Sequence, residues 1–181
     1  RFYCFREVSF GQDGSISTEG FENRYEAELA NDFGNLASRS LAMVSRYRDG
    51  VQPQADPDPG LVADFEGITG RVGALLDEAQ IGQALEEIWV LVRRLNRFVE
   101  EAQPWVLAKD EADASRLDQV LYSLVEGLRV LTLLLHPYLP NATATLLDAV
   151  GEPDLQLSGF GDRPGGSRVE KIKPLFPKLD S

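Results

Sequence analysis

Residues 81–102 read IGQALEEIWVLVRRLNRFVEEA. Ile81, Leu85, Ile88, Val92, Leu95 and Val99 follow one another in alternating steps of four and three, which draws a single apolar stripe along an α-helix. A helix with one such stripe must bury it against a neighbour, and the flanking sequence supplies neighbours of the same kind. Residues 58–79 repeat the pattern with Leu61, Phe65, Ile68, Val72, Leu75 and Ala79. Residues 112–135 do so with Leu117, Val120, Leu124, Leu128, Leu131 and Leu135, until Pro137 and Pro140 stop the helix. A short helix over 141–150 follows, ending near Gly151. Upstream, Ser17 is a fitting N-cap for a long helix over about 18–48, which places Leu29, Phe33, Leu36, Val44 and Tyr47 on its inner face and ends at Asp49-Gly50. The Pro-rich QPQADPDPG that comes next cannot stay helical. With short connections and no strand-like alternation before the tail, the pattern predicts an all-α, antiparallel helix bundle. Only VEKIKPLFPKL, in the tail, is suited to lie extended against another surface, that of a partner.

Composition narrows the function classes. The chain has 181 residues, 43% of them hydrophobic and 26% charged, as in an ordinary globular domain. No apolar run is long enough to cross a bilayer, no stretch at the start resembles a signal peptide, and a membrane partner is not expected. The chain opens on RFYCFREV rather than Met, which reads as the end of a helix inside a longer parent. One cysteine, Cys4, and one histidine, His136, leave no basis for a disulfide, a cysteine-based zinc site or a histidine pair. The lone cysteine fits a reducing, cytoplasmic setting. Cys4 reads as a small core residue, and His136 as a helix-end packing or capping group.

Bond-making chemistry finds no support. GDRPGG at 161–166 lacks the strand–turn–helix setting of a phosphate loop and reads as a flexible hinge. Glu86-Glu87 and Glu100-Glu101 are adjacent, so on a helix each pair points apart and cannot share a proton.

Recognition remains. The net charge of −11 works against a nucleic-acid partner, yet the charge is unevenly spread. Residues 92–109 hold Arg93, Arg94, Arg97 and Lys109 against Glu100 and Glu101. In NDFGNLASRS, residues 31–40, Asn31, Asn35 and Arg39 recur every fourth residue, on the same helix side as Arg24, Glu28 and Arg46. Spacing alone reads this ladder as a solvated face. Trp105, in EEAQPWVLAKD, follows Pro104, which breaks or restarts the helix and turns the indole off the regular bundle face. That indole is either a core aromatic at a helix junction or a stacking platform for a base, flanked by Arg97 and Lys109.

These stretches, in this order, resemble the C-terminal half of the methionyl-tRNA synthetase family of class I aminoacyl-tRNA synthetases. REVSFGQDGSIS resembles the connection after that family's Lys-Met-Ser-Lys-Ser loop, and NDFGNLASRS its first anticodon-domain helix. EEAQPWVLAKD resembles its Pro-Trp segment, LLLHPYLP the end of a bundle helix, and KPLFPKLD the segment that returns to the catalytic body. The resemblance implies three parts. Residues 1–20 would end the stem-contact connection, 21–150 would form the anticodon-binding domain, and 151–181 would be a tail packed on the catalytic body.

It also implies that Asn31, Asn35, Arg39 and Trp105 read the CAU anticodon of methionine tRNA. The parent would be a methionine–tRNA ligase that activates methionine with ATP and Mg. No cofactor is expected in these residues, which lack the catalytic motifs and should be inactive alone. A catalytic domain, in the same chain or as a separate nicked one, would be the second partner. Two alternatives stay open: a helical scaffold for protein partners, and the anticodon domain of another class I synthetase, such as the leucyl or valyl enzyme.

Overall fold

The computed structural model describes residues 1–9, 11, 13–152 and 154–179. The 81–102 stripe forms α6, Ile81–Ala102, as its spacing requires. Around it stand α1 (Phe2–Glu7), α2 (Thr18–Arg24), α3 (Asn35–Tyr47), α4 (Pro59–Phe65), α5 (Ile68–Asp77), α7 (Pro104–Leu107), α8 (Ala114–Leu135) and α9 (Pro140–Ala149). Among the described residues the extended part contributes one isolated antiparallel bridge, Val51 to Arg168, and no strand. The all-α bundle predicted from the stripes is the observed architecture.

Several local signals act as expected. The Ser17 side chain accepts the Gly20 N–H at 3.0 Å and caps α2. Asp58 does the same for α4 through Gly60 and Leu61, with Pro59 in the first turn where its missing N–H costs nothing. His136 closes α8, its Nδ1 lying 2.9 Å from the Thr143 hydroxyl on α9. Two of the turn residues before α2, Phe10 and Gln12, fall outside the described residues.

Other expectations need correcting. The 58–79 helix is two helices, because Gly67 adopts φ 67° between α4 and α5, a conformation that ends one helix and starts the next. Ala79 lies beyond α5 in a turn, itself at φ 58°. Cys4 is exposed rather than in the core: in a helix of six residues Phe2 and Tyr3 are buried, Phe2 against the Trp89 ring at 5.0 Å, and Phe5 packs on Tyr138, while the thiol faces out. The long 18–48 helix is continuous, but Tyr25–Gly34 is π-helical and adds a residue to each turn. GDRPGG is not a loose hinge. The Gly161 N–H donates to Glu126 at 3.0 Å and the Gly166 N–H to the Gln52 carbonyl at 2.8 Å. Gly165 meanwhile lies so close to Pro53 that a Cβ there would be 1.8 Å from its carbonyl oxygen.

The most deeply buried element is α8. Its stripe was predicted, but from Val120 to Leu135 every residue is buried. That burial includes Glu126 and Arg129, paired at 2.7 Å on adjacent turns. Arg129 also donates to the Ser158 hydroxyl and the Gly159 carbonyl, both at 2.9 Å, so the tail covers the pair and completes its hydrogen bonds. Tyr122 donates to the Arg163 carbonyl at 2.5 Å. Burial, with the Glu126 charge beside it, pushes the Tyr122 hydroxyl up to about 12. The tail then runs back over the bundle. Val169 is buried, Ile172, Leu175 and Phe176 pack on the core, and the Val169 and Glu170 N–H groups donate to the carbonyls of Gly50 and Ala149. VEKIKPLFPKL therefore lies on this chain's own helices.

Arg129→Met should cost about 3–5 kcal/mol in urea denaturation, because it leaves the Glu126 carboxylate buried without its partner. The double variant Glu126→Leu/Arg129→Met should recover much of that loss. Asp58 offers a pH test. Burial pushes its carboxyl up, but the Arg116 guanidinium at 2.7 Å and the α4 N–H groups outweigh this and hold it below 3.8. Its ionised form is therefore favoured in the folded state, a stabilisation fully present above the unfolded value and lost as pH falls through the folded one. Asp58→Asn keeps a capping oxygen and removes the charge. Thermal melts should show wild type more stable than this variant near neutral pH, with the difference closing as pH drops through the acid range.

Candidate nucleic-acid interface

The ladder is carried by the junction of the π segment with α3. Asn31 and Asn35 are exposed, Arg39 is half-buried, and Leu29, Phe33 and Leu36 between them are buried. Neither amide makes a side-chain hydrogen bond among the described residues. The lower part of the predicted stripe has a different fate. Arg24 and Glu28 turn toward α1, where Glu28 receives Arg24 at 3.1 Å and Arg6 at 2.9 Å, and Arg24 reaches Glu7 at 2.8 Å. A 100° wheel puts all these residues on one side, whereas the wider π turns part them into an ion-paired cluster below and a free amide pair above.

The π segment is held from α6. The buried Trp89 indole N–H donates to the Asp32 carboxylate at 3.3 Å, and Asn96 donates to the Asp32 backbone carbonyl at 3.2 Å. Burial raises the Asp32 pKa, an effect offset in part by the Trp89 bond and the Arg93 charge. Asp32, the one acid within NDFGNLASRS, is thus turned away from the ladder. Sequence patterning gave no sign of this, because a tryptophan N–H needs a partner that only the fold reveals.

Gly34 closes the segment. A Cβ there would stand 2.8 Å from the Leu29 carbonyl oxygen and 3.2 Å from the Phe176 ring of the tail. Phe176 also packs on Phe33 and Tyr25, and the Tyr25 hydroxyl donates to the Pro177 carbonyl at 2.8 Å. Tail and ladder together form an open groove of ≈ 590 Å³, with Asn31, Asn35 and Ser38 on one side and Pro174–Lys178 on the other.

Trp105 sits where α6 gives way to α7. Gln103 takes a left-handed conformation, Pro104 is buried as the first residue of α7, and Trp105 is 36% exposed beside an exposed Val106. The proline-directed break predicted from sequence is present, and the indole is not a core aromatic. Of the nearby cations, Arg93 pairs with Glu86, and Arg94 with Asp64 and Glu101. Arg97 and Lys109 are exposed and have no acid partner among the described residues.

Arg39 connects the two parts. Its guanidinium meets Glu100 at 2.6 Å, in the last turns of α6 and five residues before Trp105. Since Asp32 lies against Trp89 and Asn96 while Arg39 lies against Glu100, the ladder ascends toward the Trp105 end of α6. The ladder offers donor-and-acceptor amides and a guanidinium, and the Trp105 end of α6, reached by Arg39 through Glu100, offers an exposed indole.

Gly34→Ala should destabilise the chain by about 1–3 kcal/mol in urea denaturation, since the added methyl must displace backbone or the Phe176 ring.

Residues 52–162 match the family described as the anticodon binding domain of methionyl tRNA ligase. That span contains Trp105 and excludes the ladder. The methionine–tRNA ligase of Caldanaerobacter subterraneus is 40% identical over 99% of this chain and 30% of that protein. Methionine–tRNA ligase 1 of Bacillus cereus is 39% identical over 99% of this chain and 29% of that protein. The chain thus spans less than a third of the length of these relatives. Among solved structures, apo methionyl-tRNA synthetase of Mycobacterium tuberculosis superposes with a TM-score of 0.90 at 34% identity, covering 99% of this chain and 38% of that one. The same enzyme in complex with methionyl-adenylate gives a TM-score of 0.89. The chain belongs to the methionyl-tRNA ligase anticodon-binding domain family.

Proposed function

We propose that the chain is the anticodon-reading part of a methionine–tRNA ligase, and that Asn31, Asn35, Arg39 and Trp105 contact the CAU anticodon of methionine tRNA. The observation that carries the reading is the Trp105 indole, turned out of the bundle by the Gln103–Pro104 break, with Arg97 and Lys109, exposed and without an acid partner among the described residues, close to it in sequence. An anticodon base leaves its own stack when it is read, and an exposed indole restores that stacking. The amides of Asn31 and Asn35 can each donate to and accept from a base edge, and Arg39 can bond a base edge or a phosphate.

Methionine activation with ATP and Mg, and transfer to tRNA, belong in this reading to a catalytic part of the parent. The described residues contain no group of three His, Cys, Asp or Glu side chains able to hold a metal ion. The tail's outward face, with exposed Lys171 and Lys173, is the surface suited to meet that catalytic part, while its inward face packs on the bundle. No helix among the described residues is long and apolar enough to cross a membrane; we place the parent in the cytoplasm.

Trp105→Ala should weaken binding of methionine tRNA by roughly 1–3 kcal/mol with the melting temperature unchanged. Replacing CAU by another anticodon in the RNA should cost the wild type far more affinity than it costs this variant. Equal binding of both RNAs by the wild type would exclude anticodon reading. Binding that ignores salt would point to a protein scaffold instead.

A further inference from the structure

The groove between ladder and tail has an unusual lining for a chain of net charge −11. Its walls are Ala30, Asn31, Gly34, Asn35 and Ser38 facing the Pro174–Lys178 segment, and Lys178 is the one charged residue among them. Of the acids on the neighbouring segment, Asp32 is directed to Trp89 and Glu28 to Arg6 and Arg24, while Glu26 is exposed and does not line the groove. Lys178 has no acid partner among the described residues. The wall it stands on is fixed, because Phe176 is wedged against Gly34, Phe33 and Tyr25, and the Pro177 carbonyl takes the Tyr25 hydroxyl. A channel whose described lining carries no acid, with amides on one side and an ammonium on the other, complements a polyanion threaded along it.

We propose that this tail segment is the second wall of the RNA site, with Lys178 contacting a phosphate of the unpaired loop whose bases meet Asn31 and Asn35. Phe176 is the positioning residue that holds Lys178 at that distance from the ladder. The inference rests on the anticodon-reading function proposed above and adds a backbone contact from residues outside the matched span 52–162. Phosphate contacts set register without reading sequence, so Lys178 should act on all RNAs alike, unlike Trp105.

The test is binding of the 181-residue chain to methionine tRNA and to the same tRNA with an altered anticodon, across a salt series. Lys178→Ala should lower the slope of log K against log salt by about 0.7, the share of one single-strand phosphate, which amounts to about a fivefold loss at 0.1 M salt. The loss should be equal for both RNAs, and Lys178→Arg should restore it. Phe176→Ala should reproduce the shallower slope even with Lys178 present, whereas Phe176→Leu, which keeps an apolar wedge, should lose less. If Lys178→Ala leaves slope and affinity unchanged while Trp105→Ala weakens binding, the tail is no part of the site and the anticodon reading survives. If neither variant alters binding, both fall. If Lys178→Ala weakens the cognate RNA alone, the residue reads sequence and the phosphate assignment is wrong.

Discussion

Burying α8 on every side is the constraint from which much of the structure follows. A helix whose sequence includes Ser123, Glu126, Arg129 and Thr132 within its buried length must satisfy each of them without water. Ser123 and Thr132 do so locally, bonding to the carbonyls four residues back at 2.7 and 2.6 Å. The charged pair cannot. Glu126 and Arg129 neutralise each other, but their remaining lone pairs and N–H groups need partners from outside the helix, and the chain supplies them from Ser158, Gly159 and Gly161. The energetic return of such a pair against an apolar substitute is small or negative, so its effect is specification: one register of the tail fits.

That register has a consequence at the far end of the molecule. Once Gly165 and Gly166 are seated on Pro53 and Gln52, and Val169 on Gly50, the chain that follows runs back to the π segment and delivers Phe176 to Gly34. The ladder helix is thereby fixed from two directions, by Trp89 and Asn96 of α6 and by the tail. The asparagines themselves contribute nothing visible to stability. Their neighbours hold them, which is the usual arrangement where side chains must stay free for a ligand.

How much of this can be read from residues divides by physical cause. Stripes, caps and proline breaks are local properties, so α6, α8, the Ser17 cap and the break before Trp105 were legible in the sequence, whereas the exposure of its indole was left open. The Asn31–Asn35–Arg39 spacing was legible as a pattern, but its separation from Arg24 and Glu28 was not, because a π segment is selected by tertiary packing rather than by local preference. The break at Gly67 was concealed by a stripe that stays in phase across it, Phe65 and Ile68 both being buried. Cys4 illustrates the converse: its neighbours are apolar, but the short helix turns Phe2, Tyr3 and Phe5 onto the core and leaves the thiol outside. The path of the tail was hidden because it depends on backbone carbonyls and on two glycines lying against another segment, which no period in the sequence encodes.

Charge explains why an acidic chain can still present a nucleic-acid surface. Long-range repulsion is screened within about 8–10 Å at physiological salt, so the local balance governs contact. On the ladder side, several acids are engaged by other groups of the chain: Glu28 and the half-exposed Glu86 by arginines, Asp32 by the Trp89 indole. Glu100 holds Arg39. Both side chains of that pair are substantially exposed, at 34% and 59%, and an ion pair so placed is worth at most about 1 kcal/mol. Exchanging Glu100 for a phosphate or a base edge is therefore inexpensive for Arg39, whereas the same exchange for Arg129 would unseat the tail. The buried Glu126–Arg129 pair thus fixes structure, and the exposed Arg39–Glu100 pair is the one whose exchange costs little.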